Sequence, residues 1–168
     1  MPVRFLKQEN EVNSRSFPFN FETRKKMLES VFGNSITVSL NYSFQAPFKK
    51  YFPPLISPKS WSLRKQILEG IESDYFTYTG DKAEGLMLKL YRLNPKIGIR
   101  KSVSATDVKN KMYEVAKGSE SEWEKYMPEG IVQIINENWE TVKKFASTED
   151  MTKRIAGMKF PKDGYDSK

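Results

Sequence analysis

Apolar positions recur along the chain at helical spacing in five places. Met27, Leu28, Val31 and Phe32 form one stripe; Asn20 suits an N-cap ahead of it and Gly33-Asn34 suits a stop behind it. Trp61, Ile67, Leu68 and Ile71 predict a second helix over 60–71, and Leu86, Met87 and Leu90 a third over 83–91. Val108, Met112, Val115 and Ala116 predict one over 104–117. Ile131, Ile134, Ile135, Trp139, Val142 and Phe145 predict the strongest, over 130–147. A short turn at 123–127 stops at Pro128, and Thr148-Glu149-Asp150 offers the cap of a last short helix.

Between these stripes lie short runs that predict strands: Ile36 to Leu40, Tyr75 to Thr79 and Ile97 to Ile99. Val3 to Leu6 is a short apolar start, and 9–16 is an exposed loop. Pro53, Pro54 and Pro58 exclude regular structure from the connection over 46–58. Strands that alternate with helices predict an α/β fold, a Rossmann-like parallel sheet with helices on both faces. The pattern marks 1–158 as a single domain and 159–168 as a polar tail. Sheets of this kind bind ligands beyond the C-terminal ends of their strands. That rule points to Thr79-Gly80-Asp81 and to the turn that enters the helix at Ser104.

Composition narrows the chemistry. The 168 residues include 28 Lys and Arg against 21 Asp and Glu, for a net charge of +7. Such a surplus favours anionic partners, nucleotides or nucleic acid, although no run of five or six basic residues occurs. Cysteine and histidine are both absent. Disulfides, thiol catalysis, imidazole catalysis and cysteine- or histidine-held metals are thereby excluded. No stretch approaches the roughly 20 apolar residues of a membrane span, and no apolar leader segment is visible in the first twenty residues. The expectation is a cytoplasmic protein with no membrane partner.

The sharpest motif is Val103-Ser104-Ala105-Thr106-Asp107-Val108-Lys109. Two hydroxyls at a helix start, with a cation one turn on, can hold phosphate oxygens with help from free backbone N–H groups and the helix dipole. The same residues also make an ordinary Ser or Thr cap followed by a solvated lysine. A second interleaving, Phe44, Phe48, Lys49, Lys50 and Tyr51, could stack bases and touch phosphates of a nucleic acid. A proline-rich loop with its aromatics packed inward is the competing account.

The motif resembles the Ile-Ser-Gly-Thr-x-x-Arg signature of the nicotinamide-nucleotide adenylyltransferases and the wider cytidylyltransferase-like superfamily. Ala105 stands where glycine is usual, and Lys109 where arginine is usual. The likeness extends over roughly 14–147. Ser16-Phe17-Pro18-Phe19 with Arg24-Lys25-Lys26-Met27 is similar to elements upstream of the signature, and Tyr78-Thr79-Gly80-Asp81 to a strand ending in a glycine turn. Trp123 to Pro128 and the helix after it are similar to the closing segment.

The resemblance implies nucleotidyl transfer from ATP or CTP, with Mg²⁺, to a phosphate acceptor such as nicotinamide mononucleotide. It implies that Ser104, Thr106 and Lys109 bind donor phosphates, with Lys109 acting in catalysis, and that Gly80 and Asp81 line the nucleotide site. It implies acceptor contacts from Trp61 and Arg24, for which a core aromatic and an exposed helix arginine are the bland alternatives. The family's His-x-Gly-His signature is absent, and so, by this likeness, are the strand and helix that carry it. The expectation is a truncated or degenerate relative, of low or no activity, completed by oligomerisation or by a separate N-terminal segment. A non-catalytic nucleotide-binding protein or a basic nucleic-acid-binding protein on the same fold is the alternative.

Overall fold

A computed structural model describes residues 2–99, 103–155 and 157–165. Two hydrophobic cores organise them. The first gathers β1 (Arg4–Lys7), β3 (Ser43–Gln45), α2 (Pro58–Leu68), α3 (Lys82–Leu90) and β7 (Met158–Pro161) around Phe5, Phe44, Phe48, Leu63, Met87 and Phe160. The second gathers α4 (Ala105–Ala116), α5 (Glu129–Glu137) and α6 (Trp139–Ser147) around Val108, Met112, Trp123, Ile135 and Val142. Phe19, just ahead of α1 (Phe21–Phe32), belongs to this second core. Trp139 stacks on the buried Trp123 with ring centroids 5.8 Å apart.

The molecule is mixed α/β, as the alternation of stripes implies. The single doubly wound sheet is not formed by the described residues. Instead β1 pairs with β3 in parallel and with the two-residue β2 (Asn10–Glu11) antiparallel. A separate parallel pair joins β4 (Thr77–Thr79) to β5 (Pro95–Ile97), and β6 (Thr152–Ile155) pairs with β7 as a hairpin. Each parallel pair keeps a helical crossover: α1 lies between β1 and β3, and α3 between β4 and β5.

Several local expectations are corrected, each for a visible reason. The strand expected at 36–40 forms later, at 43–45. Phe44 can enter the core there, 4.9 Å from Tyr51 and 5.3 Å from Phe160 between ring centroids, whereas Leu40 stays exposed. The stripe on α1 is largely turned outward, with Phe32 51% exposed. The long helix over 130–147 breaks at Asn138, whose backbone leaves helical geometry at φ −109° and ψ 24°. Its side-chain amide donates to the Ile134 carbonyl at 2.8 Å, a local bond of the kind by which asparagine competes with the helical ladder. No helix follows 148–150. The chain turns into the β6–β7 hairpin, and the expected tail contributes the fully buried Phe160; residues 166–168 lie outside the described set.

Aromatics of the proline-rich connection pack inward. Phe48 and Tyr51 are buried in a short turn of 3₁₀ helix at Phe48–Tyr51, and Pro58 opens α2 instead of interrupting it. The base-stacking account of 44–51 is therefore replaced by a structural one. No helix among the described residues is long and apolar enough to cross a membrane.

Candidate functional site

Ser104 caps α4. Its hydroxyl oxygen accepts from the Asp107 backbone N–H at 3.1 Å, and the hydroxyl lies 2.6 Å from Asp107 Oδ2. Thr106 is exposed on the first turn. One turn further on, Lys109 is half-buried. Its ammonium donates to the Ser16 carbonyl and sits 6.0 Å from the centre of the Phe17 ring. Neighbouring Tyr113 holds the same segment, donating its hydroxyl to the Arg15 carbonyl at 2.7 Å.

Lys109 forms no ion pair among the described residues. Burial pushes its ammonium down from the usual 10.5 to about 8, the nearby charge of Lys159 adds to the depression, and Asp150 opposes it. Both of these neighbours lie in or beside the C-terminal hairpin. A lysine with little water, a second cation close by and only a partial counter-charge is prepared for an anion.

Gly80 and Asp81 occupy the turn between β4 and α3. Asp81 caps α3, accepting from the Ala83 and Glu84 N–H groups at 2.8 and 3.1 Å. Buried Thr79 fixes the turn from within: its hydroxyl accepts from the Asp81 N–H at 3.1 Å and donates to Glu84 at 2.5 Å. Asp81→Ala is expected to cost about 1 kcal/mol, the usual worth of such a cap. An unchanged midpoint in chemical denaturation would count against the capping role.

The hairpin links these two places. At Gly157, φ is +82° and a Cβ would fall 2.8 Å from the Ala83 side chain, so only glycine lets the β6–β7 turn rest on the first turn of α3. The opposite strand of the hairpin carries Lys159 toward Lys109. The turn after β4 and the face of α4 are thereby tied through one hairpin, whose first strand stands where a last short helix is expected and whose second runs into the expected tail. The one sequence signal for it is the Ala156-Gly157 pair between two short segments, since Thr152 to Ile155 does not alternate.

The two proposed acceptor residues do not join this group through any contact in the structure. Arg24 donates to Glu11 at 2.8 Å, to the Val3 carbonyl at 2.7 Å and to the Asn20 carbonyl at 3.3 Å. All three of its donor nitrogens are occupied, so the structure gives it a role in tying α1 to β1 and β2. Trp61 is 38% exposed and donates its indole N–H to the Leu55 carbonyl at 3.1 Å. The Arg92 guanidinium lies over its ring at 5.4 Å. Trp61 is thus neither a core residue nor an unoccupied platform.

On the other side of the Ser16 to Asn20 segment lies a polar cleft of about 370 Å³, walled by Glu11, Asn20, Thr23, Asn138 and Thr141 among others. None of the expected ligand-binding residues, Ser104, Thr106, Lys109, Gly80, Asp81, Trp61 and Arg24, lines it, although Pro18 and Phe19 of the upstream likeness do. No family model, no curated protein and no solved structure matches the chain.

Proposed function

We propose that the chain binds a nucleotide through its phosphates, with Lys109 as the principal cation and the first turn of α4 beside it. The reading supposes a nucleotidyltransferase-like domain. One observation carries it: a half-buried lysine that, among the described residues, has no ion-pair partner and is held beside Lys159. The Ser104-x-Thr106-x-x-Lys109 pattern and its resemblance to a phosphate-binding signature support it. In this reading Gly80 and Asp81 line the nucleotide, and the donor is ATP or CTP.

The reaction assigned is attack of an acceptor phosphate oxygen on the α-phosphorus, with the α–β bridging bond breaking and pyrophosphate leaving. Nicotinamide mononucleotide is the acceptor that the resemblance favours. Lys109 would hold the departing phosphates. Among the described residues no group of three or more acidic side chains is arranged to hold a metal ion. In this reading Mg²⁺ would come with the nucleotide phosphates. With no histidine in the chain, turnover is expected to be slow even where binding is firm.

Thermal unfolding with Mg-ATP and with Mg-CTP tests the reading. A ligand at a hundredfold excess over its Kd stabilises the native state by about 2.7 kcal/mol. One nucleotide is expected to raise the midpoint, and Lys109→Met to abolish the rise. Because phosphate favours the charged ammonium, binding near pH 8 should also draw in a proton, measurable by calorimetry in buffers of different ionisation enthalpy. If neither nucleotide moves the midpoint, the proposal fails.

The free protein gives a second readout. Below about pH 8 Lys109 is charged in both folded and unfolded chains, and the folded state bears the cost of burying the charge. Between about 8 and 10.5 the folded chain releases its proton first, so stability contributed by this group rises with pH. Lys109→Met should accordingly compare best with the parent at pH 7, and lose that relative advantage toward pH 10.

A further inference from the structure

Among the described residues the β4–β5 pair is covered on one face only. Gly85 of α3 packs on the face that carries Thr79 and Ile97: a Cβ at Gly85 would fall 2.8 Å from the Ile97 side chain and 3.6 Å from that of Thr79. Alternation along the strands puts Phe76, Tyr78 and Lys96 on the opposite face, Tyr78 and Lys96 being direct partners in the ladder. That face is open, with Phe76 53% and Tyr78 69% exposed. Parallel strands ordinarily have both faces covered, so two bare aromatic rings here call for an explanation.

Three details give the face a chemistry. The Tyr78 ring lies across Gly98 so closely that a Cβ there would fall 1.7 Å from the phenol oxygen. Glycine at this position lets the ring lie along the backbone. The Lys96 ammonium sits 3.8 Å from the centre of the Phe76 ring. At the start of the two strands, the Tyr75 carbonyl accepts from the Asn94 amide at 2.8 Å, which fixes the chain just ahead of Phe76. Among the described residues Lys96 forms no ion pair.

We infer that this strip binds single-stranded nucleic acid, with bases stacked on Tyr78 and Phe76 and the phosphate between them met by Lys96. Exposed rings two residues apart on one strand face present successive platforms. Every base offers a π-face to such a ring, whatever the sequence. The Lys96 ammonium beside the rings complements the backbone, and the net charge of +7 favours its approach. The ammonium over Phe76 is a surface contact that an incoming base displaces toward a phosphate. An acidic protein partner would use the cation and leave the rings without a purpose. This surface is separate from the 44–51 segment, whose rings are buried, and from Lys109.

Fluorescence anisotropy of the purified chain with a labelled oligothymidylate of about twelve nucleotides tests the inference. Binding should weaken steeply as salt rises from about 50 to 200 mM. Tyr78→Ala and Phe76→Ala should each weaken it roughly tenfold. Lys96→Gln should lower the slope of log affinity against log salt by about 1. All three side chains are exposed, so thermal midpoints close to that of the parent chain certify the fold. Absence of binding at low salt overturns the inference, as does equal binding by the Tyr78→Ala, Phe76→Ala double variant. Displacement of the oligonucleotide by oligoglutamate at the same charge concentration would reduce the strip to simple charge. Ring-dependent self-association without oligonucleotide binding would make it an interface between copies. Either of these results also overturns the inference.

Discussion

Phe160→Ala is expected to destabilise the fold by about 3–5 kcal/mol, the usual cost of emptying a buried aromatic site. Phe160 is wholly inaccessible and stands at the centre of the first core. Its ring centroid lies 5.4 Å from Phe5, 5.3 Å from Phe44, 6.1 Å from Phe48 and 5.5 Å from Phe52, mostly at steep interplanar angles that suit edge-to-face contact. Those four partners come from three segments of the chain, so the cavity cannot close by a shift of one loop. Phe160→Leu should recover much of the loss, because it restores volume without the ring geometry. Urea denaturation followed by circular dichroism measures both. A midpoint unchanged in the alanine variant would mean that the hairpin is not docked as described.

The second large effect is expected at Glu11. Its carboxylate accepts from Arg24 at 2.8 Å and from the Phe21 backbone N–H at 2.8 Å, and Arg4 lies 3.9 Å away. It therefore caps α1 and separates two arginines. Arg24 is itself desolvated: burial lowers its pKa, Glu11 raises it, and Arg4 lowers it further. Glu11→Ala leaves an orphaned N–H and two like charges facing each other, at a cost of roughly 2–4 kcal/mol given their partial exposure. Adding Arg24→Met should return part of that cost, since the uncompensated cation is removed. Strict additivity of the two substitutions would show that the pair is not coupled. It would then reopen a ligand-binding role for Arg24.

How far the sequence spoke for the structure depends on the distance over which each feature is decided. Asn20 and Ser104 do act as caps, accepting from Thr23 and Asp107, because a cap is settled within one turn. Asn138 breaks a helix that its apolar stripe had favoured, because one local side-chain bond outweighs the periodicity on either side. The Ile36 to Leu40 run has the composition of a strand and forms none, because a strand needs a partner and β1 pairs with 43–45 instead. Within the candidate site, Ser104, Thr106 and Lys109 stand out as near neighbours in sequence. The Ser16 carbonyl, 93 residues away, and Lys159 could be assigned to the site only once the hairpin was placed. The open strip around Tyr78 was hidden for a related reason: an alternating run does not say which of its faces a helix will cover.

The long stretch of sequence between Phe160 and its partners Phe5, Phe44 and Phe48 has a consequence for synthesis. On the ribosome, Phe5, Phe44 and Phe48 emerge long before the residue that completes their core, and must wait with their rings unburied. The second core can assemble sooner, since its last buried residue is Ala146. A nascent chain stalled before β7 therefore holds an early-made helical half and an aromatic cluster still open to solvent, the kind of surface on which chaperones act.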